Sequence, residues 1–216
     1  MSLFSVFYYL VLSFIYILAI PYLIFKSRNS KYTKAIPAKF FLKDNIPFEE
    51  NGIWFHSCSM GETKAIKPLI DNYLENANIS VITNTGFEEA KKISPNVRYL
   101  PFEIFLPFWV NKQKVLVVME AELWYLLFLF AKKKGAKTLL INARISDKSY
   151  KSYKRFSFFY KRIFQNIDKV FAQSEVDKLR LEELGASNVE VIGNIKLAQL
   201  PKVNVKLEKP KQVVIT

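Results

Sequence analysis

Short apolar runs alternate with amphipathic stretches along the part of the chain that follows residue 50. Continuous apolar runs of this kind are typical of strands buried on both faces of a parallel sheet. The strands predicted in this way are 53–56, 79–83, 97–100, 115–119, 138–141, 169–172 and 189–192. Strands that alternate with helices predict an α/β fold, in which a Rossmann-like parallel sheet carries helices on both faces.

The stretches between these strands carry a helical pattern. Ile66, Leu69, Ile70 and Tyr73 recur at helical spacing and predict a helix that begins at Glu62. Four further helices are predicted: one ending near residue 93, 123–134, a long basic helix over 148–166, and one capped by Ser174 and ended by Gly185.

The first 25 residues contain no charged side chain and are rich in Leu, Ile, Val, Phe and Tyr. About 20 apolar residues suffice to cross a bilayer, so residues 1–25 are predicted to form a membrane anchor helix. Residues 26–50 are basic and are expected to form a juxtamembrane linker, which places the remainder of the chain in the cytoplasm by the positive-inside rule. Pro21 and several tyrosines leave open a helix that lies in the membrane interface instead of crossing it.

The end of the sequence has a different character. Residues 51–196 form the predicted Rossmann-like domain, whereas residues 197–216 combine two prolines and alternating lysines with a final apolar segment, 213–216. Four residues cannot form a domain of their own. We expect residues 197–216 to be a linker and the first strand of a second domain that is cut short.

The charge balance points to a polyanionic partner. The 216 residues carry 32 Lys and Arg against 19 Asp and Glu, a formal net charge of +13. Nucleic acid, anionic lipid and phosphorylated substrates are all compatible with this charge. No zinc-ligand spacing or RNP-type motif supports nucleic acid. A single cysteine, Cys58, excludes an intramolecular disulfide, and with a single histidine, His56, it makes a His/Cys zinc site very improbable.

Polar residues follow the predicted strands, each just beyond a strand end: Glu62, Thr85, Glu120, Arg144, Ser174 and Lys196. The carboxyl ends of parallel strands share one edge of the sheet, so these groups are expected to converge on one crevice. Glu62 is predicted at a helix N-terminus, where the helix dipole favours a charged carboxylate that could accept a proton from a substrate hydroxyl. The alternative is that Glu62 only begins the helix.

Several ordered motifs resemble those of one enzyme family. The segment 56–62, His-Ser-Cys-Ser-Met-Gly-Glu, resembles the His-x-x-Ser-Val-Gly-Glu signature of the 3-deoxy-D-manno-octulosonic acid (Kdo) transferases of lipopolysaccharide synthesis. Residues 119–124 are similar to their Met-Glu-Thr-Glu-Leu-Trp-Pro motif, and residues 142–146 to Asn-Ala-Arg-Leu-Ser. Segments 172–175 and 193–196 continue the series. Three positions depart from these motifs: Met60, Ala121 and Tyr125.

The resemblance implies the N-terminal, acceptor-binding half of a GT-B glycosyltransferase, which we expect to be inactive alone. The family transfers Kdo from CMP-Kdo to the lipid A precursor (lipid IVA) at the cytoplasmic face of the Gram-negative inner membrane, with no metal or other cofactor. By motif, Glu62 is the general base, and Glu120 and Lys196 stabilise the transition state. Residues expected to bind the acceptor are Ser59, Gly61, Thr85, Glu122, Arg144 and Ser174. CMP-Kdo is expected to bind through the missing C-terminal domain, and anionic lipids of the membrane are a further expected partner.

Other interpretations remain open at the level of sequence. A different GT-B transferase would use another sugar nucleotide, and a non-catalytic basic module would bind anionic membrane through residues 1–43 and the helix 148–166. Nucleic acid is the weakest alternative, because carboxylates at strand ends repel phosphates. The basic helix has either a solvated face or a face that meets anionic lipid headgroups or the acceptor's phosphates. Arg144 either holds a phosphate or pairs with Glu120 or Glu122.

Overall fold

The computed structural model describes residues 2–73 and 77–199. Within these residues seven parallel strands form one sheet: β1 (Ile53–Ser57), β2 (Ala77–Val81), β3 (Val97–Tyr99), β4 (Val115–Met119), β5 (Lys137–Ala143), β6 (Lys169–Ala172) and β7 (Val189–Val191). Their order across the sheet is β3-β2-β1-β4-β5-β6-β7. The predicted α/β class and every predicted strand are confirmed, with ends that differ by at most two residues.

Nine α-helices accompany the strands in the described residues: α1 (Leu3–Ser27), α2 (Ala35–Phe41), α3 (Met60–Ile70), α4 (Asn84–Lys91), α5 (Leu106–Trp109), α6 (Tyr125–Lys133), α7 (Asp147–Arg155), α8 (Ser157–Phe164) and α9 (Glu175–Glu183). Strand β4 shows why they occupy both faces. Its Leu116 and Val118 join a buried cluster with residues of α6, α8 and α9. Its Val117 and Met119 join a second cluster with residues of α2, α3 and α4. Both faces of the strand are apolar, so both must be covered.

The strand order reverses between β1 and β4. Strands β1, β2 and β3 run outward on one side of this point, and β4 to β7 run outward on the other. Open parallel sheets bind ligands in the crevice beyond the carboxyl ends of their strands at such a reversal. The loop after β1 leads to Glu62, and the loop after β4 carries Glu120 and Glu122. Glu62, Glu120 and Glu122 therefore flank the reversal point.

The long helix predicted over 148–166 is two helices. Helix α7 ends at Arg155, α8 begins at Ser157, and Phe156 between them has φ −104° and ψ 28°. Helix α7 has no buried residue, whereas α8 buries Ile163 and Phe164 in the core. Helix α7 contacts the core only through the partly buried Tyr150 and Tyr153, so the two helices pack differently, and the uniform basic pattern of the sequence does not reveal the bend.

The N-terminal helix is held against the domain along one side. The Ser5 hydroxyl lies 2.7 Å from the Tyr125 hydroxyl, and Tyr8 donates a hydrogen bond of 2.8 Å to the buried Glu103. Farther along, Tyr16 donates to the Phe40 carbonyl at 2.5 Å. The segment predicted as a linker, 26–50, contains α2, whose Ala35, Ile36 and Ala38 are buried. Helix α1 and the domain are thus joined by packing as well as by sequence.

The last described element is a short 3₁₀ helix, Ile195–Gln199, which follows β7. The backbone N–H of Ile195 donates 3.1 Å to the side-chain oxygen of Asn142, at the end of β5. This contact returns the chain from the edge of the sheet toward its middle. The predicted linker and strand over 200–216 lie outside the described residues.

Candidate functional site

Glu62 lies in the first turn of α3, in a capping box with Ser59. The helix begins two residues earlier than predicted, because Ser59 is its N-cap and accepts a hydrogen bond from the Glu62 backbone N–H at 3.3 Å. In return, Glu62 Oε1 accepts from the Ser59 hydroxyl at 2.9 Å, and Oε2 accepts from the Cys58 backbone N–H at 2.8 Å. The side chain is half-buried. The two hydrogen bonds thereby fix the orientation of the carboxylate beyond the end of β1.

Burial has the largest effect on the pKa of the Glu62 carboxyl. Desolvation raises the pKa of its carboxyl above the ordinary value, and the negative charges of Glu120 and Glu122 add to the rise, while the hydrogen bonds from Cys58 and Ser59 oppose it. The helix dipole alone predicted the opposite direction. A carboxylate with a raised pKa is a stronger base, which suits proton abstraction near neutral pH. The capping role and a role as base are therefore compatible in one residue.

Glu120 and Lys196 form an ion pair across the sheet edge. Lys196 Nζ lies 2.5 Å from Glu120 Oε1, although the two residues follow β7 and β4, which are separated by two strands. Glu120 adopts a positive φ of 55° and its backbone N–H donates to the Ile141 carbonyl. A non-glycine residue in this conformation is uncommon and clusters at functional sites. The backbone turn aims the Glu120 side chain along the edge toward Lys196.

Glu122 is the carboxylate of the three that lies against both an indole and a histidine. Its Oε2 accepts a hydrogen bond of 2.8 Å from Trp124 Nε1 and lies 3.8 Å from Nε2 of the fully buried His56. Burial pushes its pKa up, but His56, Trp124 and Cys58 together bring the pKa below its ordinary value. Burial also raises the pKa of the Cys58 thiol to about 12, so this cysteine is an inert neighbour at neutral pH.

The remaining predicted site residues differ in their positions. Arg144 is exposed at the end of β5 and forms no ion pair with Glu120 or Glu122 among the described residues. Thr85 is exposed on the first turn of α4, with its hydroxyl 3.4 Å from that of Thr83. Ser174 caps α9 and donates 2.5 Å to Asp177, so its hydroxyl is engaged two strands away from β4. Gly61 is exposed beside Ser59.

Three residues near the site were not singled out from the sequence. Buried Asn142 lies with its amide nitrogen 3.4 Å from Glu120 Oε1 and holds the segment before Lys196 through Ile195. Gly86 allows α4 to approach the loop after β1, because an added Cβ would lie 3.2 Å from the Cys58 carbonyl oxygen. Lys39 of α2 donates 3.2 Å to the Ile82 carbonyl, and burial lowers its pKa. Asn142 lay within a recognised motif, but nothing in the sequence marked Lys39.

The chain spans about half, or less, of the length of the curated relatives that it matches. A 3-deoxy-D-manno-octulosonic acid transferase of Chlamydia pneumoniae is 31% identical over 223 residues, which cover 95% of this chain and 51% of that protein. A transferase of the same description from Rickettsia bellii (strain RML369-C) is 34% identical over 158 residues, covering 68% and 38%. A bifunctional glycosyltransferase/methyltransferase of Fusobacterium nucleatum is 36% identical over 165 residues, covering 69% and 26%.

A family model described as 3-deoxy-D-manno-octulosonic-acid transferase (Kdo transferase) matches residues 27–199. The match includes every strand of the sheet and all three carboxylates at the reversal point. The resemblance found from the motifs is thereby confirmed, and this chain belongs to the Kdo transferase family.

Proposed function

We propose that this chain is the acceptor-binding half of a glycosyltransferase that moves Kdo from CMP-Kdo to a lipid A precursor. The observation that carries the proposal is the position of Glu62: a half-buried carboxylate with a raised pKa, held by a capping box at the reversal point of the sheet. Membership of the family supplies the reaction class, and the donor is proposed to bind in the nucleotide-binding half that a GT-B architecture implies.

In the proposed reaction, Glu62 takes the proton of an acceptor sugar hydroxyl. The hydroxyl oxygen then forms a bond to the anomeric carbon of Kdo as the bond from that carbon to the CMP phosphate breaks, and CMP leaves with the bonding electrons. One proton is transferred, one carbon–oxygen bond forms and one breaks, with no change of oxidation state. Negative charge grows on the departing phosphate, so a fixed cation beside it lowers the barrier.

Lys196 is the cation best placed for this role, and Glu120 holds it there. Their 2.5 Å contact fixes the ammonium group at the sheet edge, and Asn142 braces both the carboxylate and the segment that carries Lys196. The proposal includes no metal or other cofactor, because Lys196 supplies positive charge and each of the three carboxylates already has protein partners. Arg144, exposed and without an ion-pair partner among the described residues, is available to an acceptor phosphate.

The outer face of α1 is proposed to contact the membrane. This helix is 25 residues long with a mean hydropathy of 2.3 over its most apolar window, and large apolar side chains such as Phe7, Phe14 and Leu18 are more than 60% exposed. Its opposite side is hydrogen-bonded to the domain from Ser5 to Tyr16. A helix held in this way favours lying in the interface over crossing the bilayer, with the domain on the cytoplasmic face of the inner membrane.

The bend between α7 and α8 adds to this surface. Phe156 and Phe158 are about half exposed and line a groove of about 340 Å³ with Phe7 and Val11 of α1. Arg162 lies over the Phe4 ring, 4.3 Å from its centre. Aromatic side chains flanked by arginine and lysine suit the interface of an anionic membrane, where each cation contributes about 1 kcal/mol. The phosphorylated acceptor resides in such a membrane.

The test joins this chain to the nucleotide-binding half of a Kdo transferase, such as that of the Chlamydia pneumoniae relative. Membranes that carry the joined protein are given CMP-Kdo and a lipid A precursor, and the acceptor mass is followed by mass spectrometry. We expect the mass of Kdo to be added by the wild type and by Glu182→Gln, an exposed control on α9, but not by Glu62→Gln. Transfer only from another sugar nucleotide would contradict the Kdo assignment, and membrane binding without transfer would favour a non-catalytic module.

A further inference from the structure

The only histidine of the chain is buried directly behind the site. His56 lies on β1 with none of its surface exposed. Its Nε2 is the one buried side-chain nitrogen or oxygen in residues 2–73 and 77–199 that has no hydrogen-bond partner. That nitrogen lies 3.8 Å from Glu122 Oε2. A buried polar atom left without a partner is costly, so its orientation toward a carboxylate calls for an explanation.

The contacts on both sides of the ring bear on where its hydrogen lies. Nδ1 faces two Ser80 oxygens, the hydroxyl at 2.8 Å and the carbonyl at 3.1 Å, and Nε2 faces the Glu122 carboxylate. Trp54 Nε1 can only donate, and it donates 2.8 Å to the Ser80 hydroxyl oxygen. The Ser80 hydrogen is then free to be donated to His56 Nδ1, which lies 2.8 Å from the same oxygen. A ring that accepts at Nδ1 carries its hydrogen on Nε2, facing Glu122. The reverse tautomer would place a bare nitrogen against a carboxylate oxygen in the protein interior.

We propose that His56 is a positioning residue, which directs an Nε2–H at Glu122 and is itself oriented by a buried relay from Trp54 through Ser80. The relay runs from Trp54 on β1 to Ser80 on β2, returns to His56 on β1 and ends at the loop after β4, so it joins three neighbouring strands of the sheet. With the hydrogen bond from Trp124, it holds Glu122 as an oriented acceptor at the crevice. The meaning of that position for catalysis rests on the proposed function, whereas the relay itself does not.

Few other ionisable groups face this histidine. Cys58 stands beside Glu122 with a raised pKa, which keeps its thiol neutral. The charge of Glu122 acts on Glu62, and the charge of Lys39 acts on Cys58. Glu122 is therefore the charged partner to which Nε2 is directed.

The test is nuclear magnetic resonance of the full 216-residue chain, labelled with ¹⁵N and held in detergent micelles at pH 8. One histidine gives one pair of ring nitrogen signals, so assignment is unambiguous. We expect long-range proton–nitrogen spectra to show a protonated Nε2. A bare Nε2 with the hydrogen on Nδ1 would overturn the proposal.

Two variants, Ser80→Ala and Glu122→Ala, test the Nδ1 end and the Nε2 end of the relay separately. Ser80→Ala removes the hydroxyl but keeps the Ser80 carbonyl oxygen, 3.1 Å from Nδ1, so Nδ1 is expected to become protonated. Ser94→Ala is the matched control, a buried serine bonded to the Ala77 carbonyl away from the histidine, and it should leave the ring signals in place. Glu122→Ala is expected to shift the Nε2 signals. An Nδ1 that stays unprotonated in Ser80→Ala, or an Nε2 unmoved by Glu122→Ala, would overturn the relay. None of these readouts requires transfer, so they remain decisive if the proposed function fails.

Discussion

At the scale of single residues, the site contains three carboxylates that are held by different means. Glu62 is held by a serine hydroxyl and a backbone N–H, Glu120 by an ammonium group, and Glu122 by an indole and a histidine. Only Glu62 lacks a cationic or histidine partner in this arrangement, and its pKa is raised where that of Glu122 is lowered. Groups whose environments push their pKa values apart have different roles, and Glu62 is the one suited to take a proton.

The ion pair between Glu120 and Lys196 predicts that substitution of either residue slows Kdo transfer, and that the two effects are not independent. Lys196→Met is expected to lower kcat by about 10²–10³-fold, because a fixed cation beside developing negative charge contributes on that scale. Glu120→Gln leaves the lysine unheld and should lower kcat as well, and the double variant should lose less than the product of the two single losses. Steady-state kinetics of the joined protein measures this. Independent, multiplicative losses would show that the two residues do not act as a pair.

Substitution of Gly86 is predicted to lower the folding stability, whereas substitution of Gly61 is not. A Cβ at residue 86 would lie 3.0 Å from Thr83 Oγ1 and 3.2 Å from the Cys58 carbonyl oxygen, whereas at residue 61 the nearest atom is 4.0 Å away. Gly86→Ala is expected to lower the free energy of unfolding by about 1–3 kcal/mol, as overpacking does. Gly61→Ala, inside α3, should be neutral or stabilising. Urea unfolding measures both, and equal effects would contradict the close approach of α4 to the site loop.

At the scale of elements, the docking of α1 depends on a buried acid. Glu103 is 4% exposed, accepts from Tyr8 and from the Leu126 backbone N–H, and burial raises its pKa to about 7. A pKa raised above the unfolded value stabilises the fold below the ordinary glutamate pKa. That contribution, about 3 kcal/mol, is lost as the pH rises through 7.

Glu103→Gln should remove this part of the pH dependence. We expect the wild-type chain to lose unfolding free energy relative to the variant between pH 5 and pH 8. Urea unfolding of both proteins at the two pH values measures the difference. A difference that does not change with pH would contradict a buried, protonated Glu103 under α1.

The bend between α7 and α8 predicts a contact with lipid. Replacing Phe156 and Phe158 together by serine should reduce flotation of the chain with vesicles that contain anionic lipid, because two aromatic side chains leave the interface. Leu179→Ser on α9 removes an exposed apolar side chain on another element and is the control. An equal loss in the control would mean that general surface hydrophobicity, and not this bend, meets the membrane.

The strands were predictable because a strand that is buried on both faces appears in the sequence as a continuous apolar run. The strand that starts at Val115 was predicted with both ends correct. The helices were less predictable at their ends. Helix α3 begins at Met60 because the Ser59 side chain caps it, and α7 and α8 are separate helices of which only α8 has fully buried residues. Such boundaries depend on tertiary contacts that periodicity does not contain.

At the scale of the whole molecule, the parallel topology explains why a site could be anticipated at all. Strand ends share one edge, so polar residues distant in sequence meet there, as Lys196 and Glu120 do across two intervening strands. Ser174 also follows a strand end, and its hydroxyl caps α9; its part in acceptor binding stays a prediction. The burial that raises the pKa of Glu62 could not be predicted from the sequence either, because it depends on neighbours from several loops.

The central claim is that Glu62 is the base of a transferase, and the pH dependence of a single turnover tests it most directly. The joined protein is mixed with limiting CMP-Kdo and excess acceptor, and CMP release is followed from pH 5 to 9. The wild-type rate should rise with pH through one ionisation above the ordinary glutamate pKa and then level off, because only the ionised carboxylate accepts the proton. Glu62→Gln should be slower by about 10²–10⁴-fold and lack that ionisation. A variant that keeps the wild-type rate and pH profile would contradict the account.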